Sequence, residues 1–272
     1  MTNWDPNSGQ QPDPGQPGQA QPWPGQGQQP PPGYGQQPPP GYGQQPPPGY
    51  GQGYPPPPGY TPGGPIPYNA PPDAVPISSD PSYPVTLGLV APLKIARWRV
   101  LFNQLLAIPH ILFLYILGIA AFFVGLVAWW AVLFTGRMPD GMGRFLAGVH
   151  RYQYRVGVFM GYMSAAYPNF EVPSGWAEPG GDAAWLNIVP TPKYSRLALI
   201  FRFIMAIPHL LFGFVLAIGA FFASIAAFFV VLITGRWPEG LRRFLIGVTF
   251  WSVRFSAWYN LLTDTYPPFS IS

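Results

Sequence analysis

The sequence predicts an all-α membrane protein made of two tandem helical-hairpin repeats behind a long disordered tail. Three observations predict this. No Asp, Glu, Lys or Arg occurs from Val100 to Phe134 or from Phe203 to Gly235. Residues 96–170 align with 195–269 at a constant offset of 99 without a gap, and 30 of the 75 positions are identical. All 14 Lys and Arg lie at or after Lys94, and charged residues make up only 9% of the chain, against roughly 25% in soluble domains. Such a composition suits lipid rather than water.

The tail, residues 1–93, carries four charges, Asp5, Asp13, Asp73 and Asp80. From residue 30 it repeats Pro-Pro-Pro-Gly-Tyr-Gly-Gln-Gln, which spaces Tyr34, Tyr42 and Tyr50 by eight residues, with a looser echo at Tyr60. Proline removes backbone donors, and with few aliphatic side chains the segment cannot offset roughly 1 to 2 kcal/mol of backbone entropy per residue. Disorder with polyproline II character is expected. Pro31-Pro32-Gly33-Tyr34 matches the short proline-tyrosine ligands read by aromatic grooves, so protein partners can be recruited through the tail; a plain flexible spacer is the other reading. The start, Met1-Thr2-Asn3-Trp4-Asp5-Pro6, has neither the basic nor the apolar region of a signal peptide, so the tail is expected to stay in the cytoplasm.

Membrane repeat 1 is read over 94–170, a loop linker over 171–193 and membrane repeat 2 over 194–272. Each copy opens with a short amphipathic helix, in which Trp98, Leu101, Phe102 and Leu105, and then Leu197, Ile200, Phe201 and Ile204, fall at i, i+3, i+4 and i+7. Backed by Arg97, Arg99, Asn103, Arg196 and Arg202, these stripes suit helices lying among lipid headgroups. A break is expected at Pro109 and Pro208. Beyond it, Ile111 to Phe134 and Leu210 to Ile233 are long enough to cross a bilayer. The turns Thr135-Gly136-Arg137 and Thr234-Gly235-Arg236 then reverse the chain, with glycine supplying the left-handed conformation that ends a helix.

The second long helix of each copy is punctuated by arginine. Positive-inside balance favours four transmembrane helices over two, with both termini on the cytoplasmic side of a multi-pass plasma-membrane protein. Arg155 and Arg254, equivalent in the two copies, are the candidate intramembrane functional residues, with no acid inside a span to pair with either. Arg137 and Arg236 are candidate contacts for a lipid headgroup or anion beside a helix N-terminus. His110 and His209 follow the helix-breaking prolines, and Tyr167 and Tyr266 open the exit motifs Tyr-Pro-x-Phe; all four are read as interfacial anchors. Two isolated His make a poor metal site, and the chain has no Cys. No nucleophile-base pattern or phosphate loop is present in the sequence, so no cofactor, no nucleic-acid partner and no enzyme activity are expected.

Ala-Ile-Pro-His, Thr-Gly-Arg-x-Pro-x-Gly and Leu262-Thr263-Asp264-Thr265-Tyr266-Pro267-Pro268-Phe269 resemble an actinobacterial membrane-protein family catalogued as domain of unknown function 4389. The likeness covers both copies, about residues 93 to 270. Copy one departs from it, with Met163-Ser164-Ala165-Ala166 where the family favours Leu-Thr-Asp. The resemblance implies an integral membrane protein and brings no activity. The expected function is a non-enzymatic cell-envelope scaffold or accessory subunit; a small lipid or anion transporter with a path at the repeat interface is the alternative.

Overall fold

The charge-free stretches fold as helices in a computed structural model, which describes residues 75–178 and 182–271. In chain order the elements are β1 (Val75–Ser78), β2 (Val85–Ala91), α1 (Arg97–Leu106), α2 (Ile108–Thr135), α3 (Asp140–Met160), β3 (Ala184–Ile188), α4 (Arg196–Thr234) and α5 (Glu239–Tyr259). Most of the predicted tail lies outside the described residues.

The fold is not all-α. The strands form an antiparallel sheet in the order β1-β2-β3, so β1 and β2 occupy part of the predicted disordered tail and β3 part of the predicted loop linker. Strand β3 pairs with β2 some 100 residues earlier, and no short hairpin turn announces that pairing locally. Apolar side chains at Val85, Leu87, Leu89, Leu186 and Ile188 are buried, which offsets the entropy of ordering two short segments.

β2 and β3 are themselves the two copies of one strand. Leu87 pairs with Leu186, and these are equivalent residues at the offset of 99; Val90/Val189 and Lys94/Lys193 extend the identity. Each repeat therefore begins near residue 85, and a pseudo-twofold axis passes through the Leu87–Leu186 pair. The same symmetry relates the rest of the fold. Ile95 N–H donates to Gly235 carbonyl at 2.9 Å, and the equivalent Tyr194 N–H donates to Gly136 carbonyl at 2.8 Å. Such reciprocal contacts define an isologous interface. The copies also exchange strands, because β3 of the second copy packs on α3 of the first and β2 packs on α5.

α3 and α5 run antiparallel. His150 lies 3.0 Å from the Ser256 hydroxyl, and the Tyr154 and Phe250 rings are 6.4 Å apart. Four consecutive crossings would make these equivalent helices parallel, so the order α2 to α5 does not thread a bilayer four times in this arrangement. The long helices are reversed in the same way, each beginning beside the end of the other. Two helices, Arg97–Thr135 and Arg196–Thr234, are long and apolar enough to cross a membrane.

The proline break is slight. In copy one a single residue, Ala107, separates α1 from α2 and keeps right-handed helical geometry; in copy two Pro208 sits inside α4. The predicted amphipathic stripes Trp98, Leu101, Phe102, Leu105 and Leu197, Ile200, Phe201, Ile204 point outward, whereas Asn103 and Arg202 on the polar side are buried. That is the reverse of a water-soluble helix. The Thr-Gly-Arg turns form as expected: Gly136 and Gly235 have φ of 71° and 69°, and Thr135 and Thr234 bond back to Ala131 and Val230 carbonyls.

Gly148 and Gly247, identical in the two copies, explain how the exits fold. After α3 and α5 the chain returns along the helix surface, and a Cβ at Gly148 would lie 3.0 Å from Pro173 carbonyl oxygen, while one at Gly247 would overlap the Ile271 carbonyl. Replacing Gly by Ala in a helix ordinarily gains up to about 1 kcal/mol. We therefore expect Gly247→Ala to destabilise by about 1–3 kcal/mol through overpacking, whereas Gly240→Ala, facing open space, is neutral or stabilising; thermal unfolding in detergent compares them.

Candidate functional site

Five arginines are buried, Arg151, Arg155, Arg202, Arg242 and Arg254, of which Arg242 donates to the Ala91 and Pro92 carbonyls at the end of β2. A buried cation is costly unless it is paired and hydrogen-bonded. Arg151 Nε lies 3.0 Å from Glu178 Oε2 and its Nη2 donates to Leu186 carbonyl at 3.0 Å. Arg155 pairs with Glu178 Oε1 and with Asp182 Oδ2, the latter at 2.6 Å. Glu178 also accepts the Leu186 N–H at 3.2 Å. One buried carboxylate thus joins two arginines of α3 to the central pair position of the sheet. Burial pushes the Asp182 carboxyl above its ordinary range, opposed by the adjacent Arg155 charge.

Arg155 is therefore not an unpaired intramembrane arginine. Its acids come from residues 178 and 182, within the stretch predicted as a loop, where sequence gave no sign that the chain folds back on α3. Arg254 occupies the equivalent place on α5 and donates to Ser270 carbonyl at 2.9 Å. Asp80, held below its usual carboxylate range chiefly by the Ser82 N–H, also feels the Arg254 charge, as does Tyr83. Tyr83 stands where Asp182 stands in the other copy. Arg155 thus anchors the segment leading into the opposite copy's strand, while Arg254 holds the C-terminal segment at Ser270.

His110 and His209, expected as interfacial anchors, are fully buried within the protein. His110 stacks on Phe170 with centroids 4.1 Å apart, and His209 stacks on Phe269 at the same separation. The Tyr167 hydroxyl donates to Leu106 carbonyl at 3.3 Å and the Tyr266 hydroxyl to Met205 carbonyl at 3.0 Å, each three residues before the helix proline. A proline leaves carbonyls of the preceding turn short of donors. Ala-Ile-Pro-His and Tyr-Pro-x-Phe are therefore two halves of one aromatic box: phenylalanine covers the imidazole and tyrosine serves the perturbed turn. Tyr167 is half exposed and Tyr266 less so.

Arg137 and Arg236 remain exposed at the ends of α2 and α4. Each is joined by lead-in cations of the opposite copy. The Lys94 and Arg236 backbones form an antiparallel β-bridge, and Arg97 lies beside Gly235; across the axis Arg196 lies beside Gly136 and donates to Phe134 carbonyl at 2.9 Å. Positive charge at these helix C-termini complements the macrodipole. On the axis itself, His150, Gln153, Tyr154, Gly157 and their equivalents Thr249, Ser252, Val253 and Ser256 line a groove of about 330 Å³ between α3 and α5. Among the described residues, no three His, Cys, Asp or Glu converge to hold a metal.

The family model for a domain of unknown function, DUF4389, matches residues 97–171 and 196–270. The chain belongs to this family. Neither a curated protein nor a solved structure matches it. The two DUF4389 segments hold both aromatic boxes, both Thr-Gly-Arg turns and the glycines under the exits; β2, β3, Glu178 and Asp182 lie outside the matched residues.

The departure of the first DUF4389 copy from the Leu-Thr-Asp pattern has a partner in the structure. In the second copy Arg202 donates to Trp258 carbonyl and pairs with Asp264 at 2.6 Å. Asn103, equivalent to Arg202, donates to Phe159 carbonyl at 2.9 Å, and Phe159 is equivalent to Trp258. Where the charge is absent the acid is absent too, since Ala165 replaces Asp264. A similar exchange sets Trp251 close against Gly213, where the first copy has Tyr152 and Leu114 at the equivalent positions. Asp264→Ala alone, which strands a buried guanidinium, is expected to cost about 3–5 kcal/mol. Arg202→Asn with Asp264→Ala should recover most of that loss, and a double-mutant thermal unfolding cycle measures the recovery.

Proposed function

We propose that the protein is a membrane-held scaffold or accessory subunit of the plasma membrane, non-enzymatic, which presents its proline-rich tail to cytoplasmic partners with both termini on that side. The observation that carries this reading is the division of labour between surface and interior. The helices Arg97–Thr135 and Arg196–Thr234 expose large apolar side chains along their whole length, while Arg151, Arg155, Arg202 and Arg254 are engaged with protein groups. Exposed apolar surface of this extent marks a membrane or protein interaction. Buried cations spent on joining the copies favour a rigid platform.

The axis groove supports a second reading, a small transporter or channel for a lipid or anion, because repeat interfaces are where such paths form. Against it, Arg155 bonds Ala184 carbonyl and Asp182, and Arg254 bonds Ser270 carbonyl. The cations that an anion path would use are therefore committed to holding the strands and the C-terminal segment. No lining residue of the groove is Lys or Arg.

The scaffold reading is tested with the full chain and a variant lacking residues 1–74, which stops short of β1. Both should stay in the membrane fraction through a high-salt wash, and only the full chain should bind a purified WW domain, a probe with an aromatic groove for Pro-Pro-x-Tyr. Release of both by salt, or equal binding of the probe with and without the tail, would contradict it.

A further inference from the structure

We propose that α1–α2 and α4 lie in the plane of a single leaflet instead of crossing the bilayer, with the pseudo-twofold axis along the membrane normal and the sheet on the watery side. This rests on the membrane reading above and adds how the surface meets lipid.

Three observations carry it. The first is direction. A twofold axis that reverses an element is perpendicular to it, and here the axis reverses the equivalent strands, the equivalent helices α3 and α5, and the two long helices. If the long helices crossed the bilayer, the axis would lie in the membrane plane at mid-depth. The Leu87–Leu186 strand pair lies on that axis. An open three-stranded sheet, with Glu178 and Asp182 ion-paired beneath it, would then sit in the hydrocarbon centre, where sheet edges cannot satisfy their backbone groups.

The second is length. Exposed large apolar side chains run from Trp98 to Phe134 and from Leu197 to Ile233. At 1.5 Å per residue each stripe is about 54 Å long, and fitting it across a hydrocarbon core of about 30 Å would need a tilt well beyond the 0–40° range of spanning helices. Lying flat, it needs no fit to bilayer thickness.

The third is charge. The exposed cations Arg97 and Arg236 mark one end of the molecule and Arg196 and Arg137 the other, each pair drawn from both copies. Cations at both ends of an apolar stripe suit a helix embedded about 5–10 Å deep, with its ends at anionic phosphates. The occupant of this surface is therefore one leaflet containing anionic phospholipid.

The chain has no native cysteine, so single cysteines can be placed at Phe102, Ile116, Phe123 and Phe134, which are 48%, 64%, 59% and 71% exposed. Each full-length variant is spin-labelled and reconstituted in vesicles of phosphatidylethanolamine and phosphatidylglycerol, and label depth is read from relaxation by oxygen against a nickel chelate. The proposal expects all four labels within one shallow band, about 5–10 Å below the phosphates. A profile deepest at positions 116 and 123 and rising to headgroups at 102 and 134 overturns the leaflet placement and leaves the membrane reading intact. Water-like relaxation at all four positions overturns both.

Discussion

The fold depends on one contact, the antiparallel pairing of β2 with β3 about Leu87 and Leu186. Because the paired residues are equivalent in the two copies, the contact sets a pseudo-twofold axis, and the rest of the molecule follows that axis. It requires α3 and α5 to run antiparallel, places each lead-in segment against the opposite Thr-Gly-Arg turn, and hands each copy's strand to the other copy's helix. Neither repeat keeps its own strand. The hydrophobic core formed by Leu87, Leu89, Leu186, Ala147, Tyr154 and Phe250 therefore belongs to both copies at once.

Buried charge follows the same plan. An arginine removed from water is tolerated when its donors find acceptors, and a single carboxylate, Glu178, serves two arginines and a strand N–H. Arg254, on the equivalent helix α5, donates to the Ser270 carbonyl of the C-terminal segment. The second copy spends a further pair, Arg202 with Asp264, where the first manages with Asn103 and no acid. Equivalent geometry is reached by different chemistry, which shows that the required feature is a donor to the last turn of the second helix, with charge as an optional addition.

Much of this was legible in the sequence, because duplication and long apolar runs leave strong signals. The two apolar helices, the glycine-ended turns and the outward amphipathic stripes all follow from residue spacing. The strands were hidden for a physical reason: β2 is seven residues long, β3 five, and what stabilises them is a partner about 100 residues away. Leu87, Val90 and Lys94 do match Leu186, Val189 and Lys193, so the duplication itself reaches into the strands and is their one signature in the sequence. Arg155 and Arg254 stand out in the sequence, but their partners depend on Glu178, Asp182 and Ser270 lying against the helices, which no local pattern announces. The burial of His110 and His209 is not legible locally because their covering rings, Phe170 and Phe269, arrive sixty residues later.

Interlocking of the copies is the central claim, and cutting the connection between them tests it most directly. A protease site inserted at residues 179–181 would let the purified full chain be cleaved after folding, and size-exclusion chromatography in detergent would then report whether the fragments stay together. Exchanged strands and reciprocal lead-in contacts predict that both fragments co-elute at the mass of the intact protein after dilution. Two separately eluting, folded fragments would show that each repeat is complete by itself and would contradict the account.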